Sequence, residues 1–183
     1  MASVAGGRPL RVMFQDEARF GRLSDPRSCC APSPIRPKVA LALVREYVYA
    51  YAAVSPMDGS LDWIIAERMN TEMMNKFLDM IEDRYPNEHI AMILDGASSH
   101  RSKDLKFRDH VSLIRLPPYS PELNPVELLW DELREKEFAN KVFASLPAVV
   151  SQIAHGMNAL QANQPTVKSL SAWPWIVNAI TSS

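Results

Sequence analysis

The chain has 183 residues and a formal net charge of −1. That is the length of one domain, without the strongly basic balance of a dedicated nucleic-acid-binding module. Its apolar runs are too short to span a membrane. Cys29 and Cys30, adjacent and alone, exclude a disulfide framework and a cysteine-rich zinc site.

In chain order, residues 1–8 lack a basic-then-apolar signal pattern and read as a disordered leader. Residues 9–15 are apolar-rich and predict a strand that ends at Asp16-Glu17. A loop rich in Arg, Ser and Pro follows over 19–36. Residues 38–44 and 46–54 are β-type runs, and Asp58-Gly59 marks a turn into another strand over 61–66, giving a hairpin. Asn70 or Thr71 caps a helix whose Met73, Met74, Phe77, Leu78 and Ile81 recur at helical spacing, and which stops before Pro86. Residues 89–94 form a nearly continuous apolar run, the mark of a buried central strand. A short basic helix is expected from Ser102, and 111–116 predicts the next strand.

That strand feeds the stretch Leu116-Pro117-Pro118-Tyr119-Ser120-Pro121-Glu122-Leu123-Asn124-Pro125-Val126-Glu127-Leu128-Leu129-Trp130. Four prolines fix their own φ and push the preceding residues out of the α region. Asn124 is expected as the N-cap of a helix, with Pro125 in its first position. Glu127 then falls in the first turn, and Val126, Leu129, Trp130 and Leu133 define the buried face. Glu127 reads equally as a capping-box residue reaching back to the Asn124 N–H. Tyr119 and Trp130 read as packing. A last helix is expected over 146–160, and 161–183 is a tail containing Trp173 and Trp175.

Three strands, a helix, and then alternating β and α elements predict an α/β ribonuclease H-like fold. The expected sheet is mixed, of about five strands, with helices on both faces. Asp16, Asp95 and Glu127 then lie at strand ends and at a helix start, where an α/β sheet forms its crevice. Three carboxylates repel one another unless a divalent cation intervenes, and hard oxygen donors suit Mg²⁺ or Mn²⁺. Basic residues cluster nearby, with Arg19, Arg22, Arg27, Arg36 and Lys38 before the second strand and Arg101, Lys103, Lys106, Arg108 and Arg115 after the fourth. A basic face beside an acidic site suits a polyanion substrate.

Three stretches, Phe14-Gln15-Asp16-Glu17, Leu94-Asp95-Gly96-Ala97-Ser98-Ser99-His100 and the proline loop with its helix, resemble the signatures of the IS630/Tc1/mariner transposases. The resemblance covers roughly residues 12–136. It implies that Asp16, Asp95 and Glu127 form the Asp-Asp-Glu triad that holds two Mg²⁺ or Mn²⁺ ions, with His100 near the site. It implies cleavage of double-stranded DNA at transposon ends and attack of the freed 3′-hydroxyl on target DNA, at TA, by a homodimer on DNA. Arg19, Arg22, Arg101 and Lys103 are the expected DNA contacts. The expected catalytic domain is 9–160, in a cytoplasmic protein that is nucleoid-associated if bacterial.

Two features depart from the family. Gly96 replaces an Asn beside the second acid, and the 31 residues between Asp95 and Glu127 are slightly fewer than usual. The family also carries an N-terminal helix-turn-helix region. This chain begins almost at the first catalytic strand, as a catalytic fragment or one product of a split reading frame would. The alternatives are a ribonuclease H-like nuclease that cuts without joining, and an inactive or co-opted copy that binds DNA or another subunit.

Overall fold

The computed structural model describes residues 7–23, 31–35, 45–96 and 104–182. One strand, β1 (Leu10–Gly21), runs through the middle of a five-stranded sheet. β2 (Tyr47–Ser55) pairs with it antiparallel, and β3 (Ser60–Ala66) with β2. On its other side β4 (His89–Leu94) runs parallel to β1, and β5 (Val111–Arg115) parallel to β4. The order is β3-β2-β1-β4-β5. The sheet is mixed and the fold is ribonuclease H-like, as the element order predicts.

β1 is longer than the sequence reading allows. It continues past Asp16 to Gly21 because β2 pairs with it from Phe14 to Gly21. Asp16 therefore lies within the strand and does not end it. The overlooked signal is an alternation of period two. Phe14, Ala18 and Phe20 face one core, while Gln15, Glu17 and Arg19 alternate with them.

The sheet separates two cores. On one face α1 (Thr71–Arg84) lays Met74, Phe77, Leu78 and Ile81 against Met13, Tyr51, Ile90, Met92 and Leu94. Asn70 caps it, its Oδ1 accepting from the Met73 N–H at 2.9 Å. On the other face lie α2 (Val126–Leu133), α3 (Leu146–Gln161), α4 (Gln164–Ser171) and α5 (Pro174–Thr181), packed on Phe14, Phe20, Ala52 and Val54. A π turn, Arg134–Phe138, prolongs α2 and buries Phe138. Residues assigned to the tail thus include two helices, and Val167 and Ile176 belong to this core. Gly59, at φ +75°, turns the β2–β3 hairpin against α4; a Cβ there would stand 2.3 Å from the Gln164 carbonyl oxygen.

Between β4 and β5 the described residues 104–110 contain no helix, so the element expected from Ser102 is not found there; residues 97–103 lie outside the description. So do the whole of the predicted run 38–44 and both cysteines. Arg108 holds the approach to β5 onto α1, donating to the Asn75 carbonyl at 2.8 Å and pairing with Asp79. Among the described residues no helix is long and apolar enough to cross a membrane.

Candidate active site

The β1–β4 register sets the geometry. Phe14 is opposite Ile93, so two residues further on Asp16 stands level with Asp95, just beyond the end of β4. Side chains level on adjacent parallel strands project to the same face. That is the face carrying α2, because Phe14 and Ile93 belong to its core.

Glu127 arrives from α2. The chain leaves β5, makes a 3₁₀ turn over Pro121–Leu123 and enters the helix at Val126. The helix starts later than the sequence reading places it, but Asn124 still caps the turn: its Oδ1 accepts from the Val126 N–H at 3.2 Å. The capping-box alternative is not found. The Asn124 N–H donates to the Pro121 carbonyl at 2.9 Å, which leaves the Glu127 carboxylate to the cleft. Val126, Leu129, Trp130 and Leu133 are all essentially buried. Each contributes ~1.5–3 kcal/mol to holding the helix on the sheet, so Glu127 rides on a firmly seated element.

An open cleft of about 460 Å³ is lined by Asp16, Asp95, Gly96, Glu127, Asn124 and the loop from Leu116 to Pro121. The three acids sense one another. Burial, then the negative charges of Glu127 and Glu17, raise the Asp16 carboxyl to about 7. Glu127 is also raised, first by burial, with Asp131 and Asp95 adding to it against the opposing charge of Arg134. Such a set fits a hard divalent cation by donor chemistry, because positive charge relieves both the burial penalty and the repulsion. Among the described residues, no three carboxylate, histidine or cysteine side chains stand close enough together to hold one ion between them.

His100, Arg101 and Lys103 lie outside the described residues. Arg19 is exposed, its guanidinium over the Tyr47 ring at 4.5 Å. Arg22 is engaged within the chain, donating to the Phe143 and Ala144 carbonyls at 3.2 and 2.6 Å and pairing with Glu46 at 3.0 Å. Tyr119, read as a packing residue, is fully exposed at the cleft rim with φ +58°. A left-handed conformation costs a non-glycine residue ~1–2 kcal/mol.

Two contacts escape the sequence reading. The Trp130 indole N–H donates to Asp16 Oδ2 at 2.9 Å. The Asn124 Nδ2 donates to the Gln15 carbonyl at 3.0 Å. Helical spacing marks Trp130 as inward-facing but carries no information about which strand atom its N–H meets.

The molecule is a ribonuclease H-like sheet with three acids around one cleft, and its sequence assigns it to a family. Residues 11–149 match the model of the DDE superfamily endonucleases, and the chain belongs to that family. An uncharacterized protein of Sinorhizobium fredii, y4pE/y4sA, is 31% identical over 130 residues, covering 70% of this chain and 96% of that protein. Among solved structures, the Mos1 strand transfer complex is similar with a TM-score of 0.58 at 13% identity over 89% of this chain. The mariner Mos1 paired end complex with Mg is similar with a TM-score of 0.60 at 14% identity. At these identities the likeness is one of fold. This chain spans 55% and 56% of the length of those two Mos1 chains.

Proposed function

We propose that the chain is the catalytic domain of a transposase of the IS630/Tc1/mariner type, which cuts double-stranded DNA at transposon ends and joins the freed 3′ end to target DNA. The observation that carries this reading is the single cleft onto which Asp16, Asp95 and Glu127 open from three separate elements. Family membership and the likeness of fold to the Mos1 strand transfer complex and the Mos1 paired end complexes with Mg and with Mn support it.

In this reading Asp16, Asp95 and Glu127 hold Mg²⁺ or Mn²⁺. A two-ion arrangement does not require one ion to touch all three acids. When bound, the ions supply charge stabilisation for in-line phosphoryl displacement. The chain's own part is positional. β1 and β4 present two acids at one level, α2 brings the third, and the proline loop walls the cleft. Arg19 lies exposed on β1 and is proposed to meet the DNA backbone with Arg101 and Lys103, while His100 is proposed to act at the site itself. The protein acts as a homodimer on DNA, with end recognition supplied by a helix-turn-helix region on the same or another chain.

The test is Mn²⁺-dependent nicking of DNA carrying the transposon end, compared between wild type and Asp95→Asn. Loss of nicking with unchanged melting is the expected result. A variant that nicks normally removes Asp95 from the mechanism. Pre-cut ends then separate the chemistries: joining supports a transposase, and cutting without joining identifies a nuclease.

A further inference from the structure

We infer that Trp130 is a positioning residue for Asp16, its indole N–H fixing the orientation in which that carboxylate meets a divalent cation. This rests on the proposed reading of the cleft as a metal-dependent DNA-cleaving site.

A buried indole needs an acceptor for its N–H. Trp173 shows the ordinary solution in this same chain: its Nε1 donates to the nearby Leu170 carbonyl at 2.9 Å. Trp130 instead uses a carboxylate oxygen 114 residues away in sequence, on the central strand and at the wall of the cleft. A carboxylate has about four lone-pair positions. One is taken by the indole N–H, which restrains rotation of the group.

The brace is itself braced. Trp130 is 1% exposed, and the edge of Phe20 meets it with ring centroids 6.0 Å apart and planes at 69°. Phe20 lies on β1 four residues beyond Asp16, so one strand supplies both the acid and the ring that locks the indole. Trp130 also lies three residues after Glu127 on α2, where side chains are neighbours on the helix surface. One helix therefore presents the third acid and orients the first. The docking of α2 sets their separation, and neither carboxylate is positioned independently.

Groups that orient metal ligands typically change metal affinity by about 10–100-fold when removed. Trp130→Phe deletes the N–H and keeps an aromatic ring. Calorimetric titration of the intact chain with Mn²⁺ is expected to show Kd raised about 10–100-fold. Leu78→Ala, which removes buried mass from α1 on the opposite face of the sheet and leaves α2 and the indole intact, is expected to lower the melting temperature with Mn²⁺ affinity near wild type. Unchanged Mn²⁺ affinity in Trp130→Phe overturns the inference and leaves Trp130 as packing.

Should that variant not fold, wild-type protein labelled with ¹⁵N-tryptophan answers the same question. Mg²⁺ is expected to shift the Trp130 indole resonance and leave that of Trp175, on a different helix, in place. An unmoved Trp130 signal at saturating Mg²⁺ overturns the inference. A wild-type chain that takes up no divalent cation, with DNA present, overturns the reading of the cleft itself, and the inference falls with it.

Discussion

Asn124 ties the proline loop to the central strand, its Nδ2 donating to the buried Gln15 carbonyl at 3.0 Å. The β1–β4 ladder stops one residue earlier, at Phe14 and Ile93. Asn124 therefore satisfies a strand carbonyl that β4 no longer reaches, while its Oδ1 takes the Val126 N–H. One side chain closes the end of a ladder and starts the helix that carries Glu127.

Asn124→Ala removes both bonds at a site 3% exposed. Leaving a buried carbonyl unpaired costs ~1–3 kcal/mol. For a chain of this size each kcal/mol lowers the melting temperature by about 2–4 °C. Asn124→Asp keeps the acceptor but turns the donor into a second acceptor facing the Gln15 carbonyl, so it is expected to lose at least as much. Differential scanning calorimetry of both variants checks this. An Asp variant as stable as wild type would show that the Gln15 bond contributes nothing. DNA nicking by Asn124→Ala, measured below its melting temperature, is expected to fall as well, because Glu127 loses its fixed approach.

Two of the acids that line the cleft were legible in the sequence because each sits at a punctuation mark: Asp95 closes an apolar run, and Glu127 follows a proline-set loop. The extent of β1 was legible only as an alternation of period two, because Asp16, Glu17 and Arg19 break the apolar pattern that marks its first half. Only pairing with β2 extends the strand through these charges, and pairing is a tertiary fact. The two C-terminal helices carried a readable signal in Asn163, whose Oδ1 caps α4 by accepting from the Thr166 N–H at 3.3 Å ahead of a proline in the first turn. The tie between Trp130 and Asp16 had none, since periodicity gives the face of a helix and not the atom it meets.

The close approach of α3 to the end of α2 depends on Gly156. A Cβ there would stand 2.4 Å from Leu133 Cδ1 and 2.7 Å from Glu137 Cγ. Leu133 is buried, and Glu137 is held by a hydrogen bond from Gln152, so neither yields freely. Replacing glycine inside a helix gains up to ~1 kcal/mol in propensity, whereas overpacking costs ~1–3 kcal/mol. With alanine the two effects nearly offset. Gly156→Val adds two further methyl groups and a β-branched residue's weaker propensity, so the clash wins and the melting temperature is expected to fall by about 4–8 °C. If the valine variant melts with wild type, α2 and α3 are not as closely apposed as the structure has them.

Asp16 couples the site to pH. Its carboxyl, near 3.8 in the unfolded chain, is raised to about 7 in the fold by burial and then by Glu127 and Glu17. A raised carboxyl contributes its stability fully below about 4 and loses it as pH rises through about 7. Without divalent cation, the ionised acid therefore destabilises the protein at pH 8 but not at pH 4. Asp16→Asn removes the charge and keeps an acceptor for the Trp130 N–H. It is expected to match wild type near pH 4 and to be more stable at pH 8 by on the order of 1–3 kcal/mol, the upper range reduced by solvent screening. Thermal melts of both proteins in chelator across that window read the difference directly. Adding Mg²⁺ at pH 8 should raise the melting temperature of wild type and leave Asp16→Asn much less affected, because the cation acts on the charge the variant lacks. Equal stability of the two chains at pH 8 in chelator would mean that the acids around the cleft do not burden one another, and the electrostatic reason for a cation there would disappear.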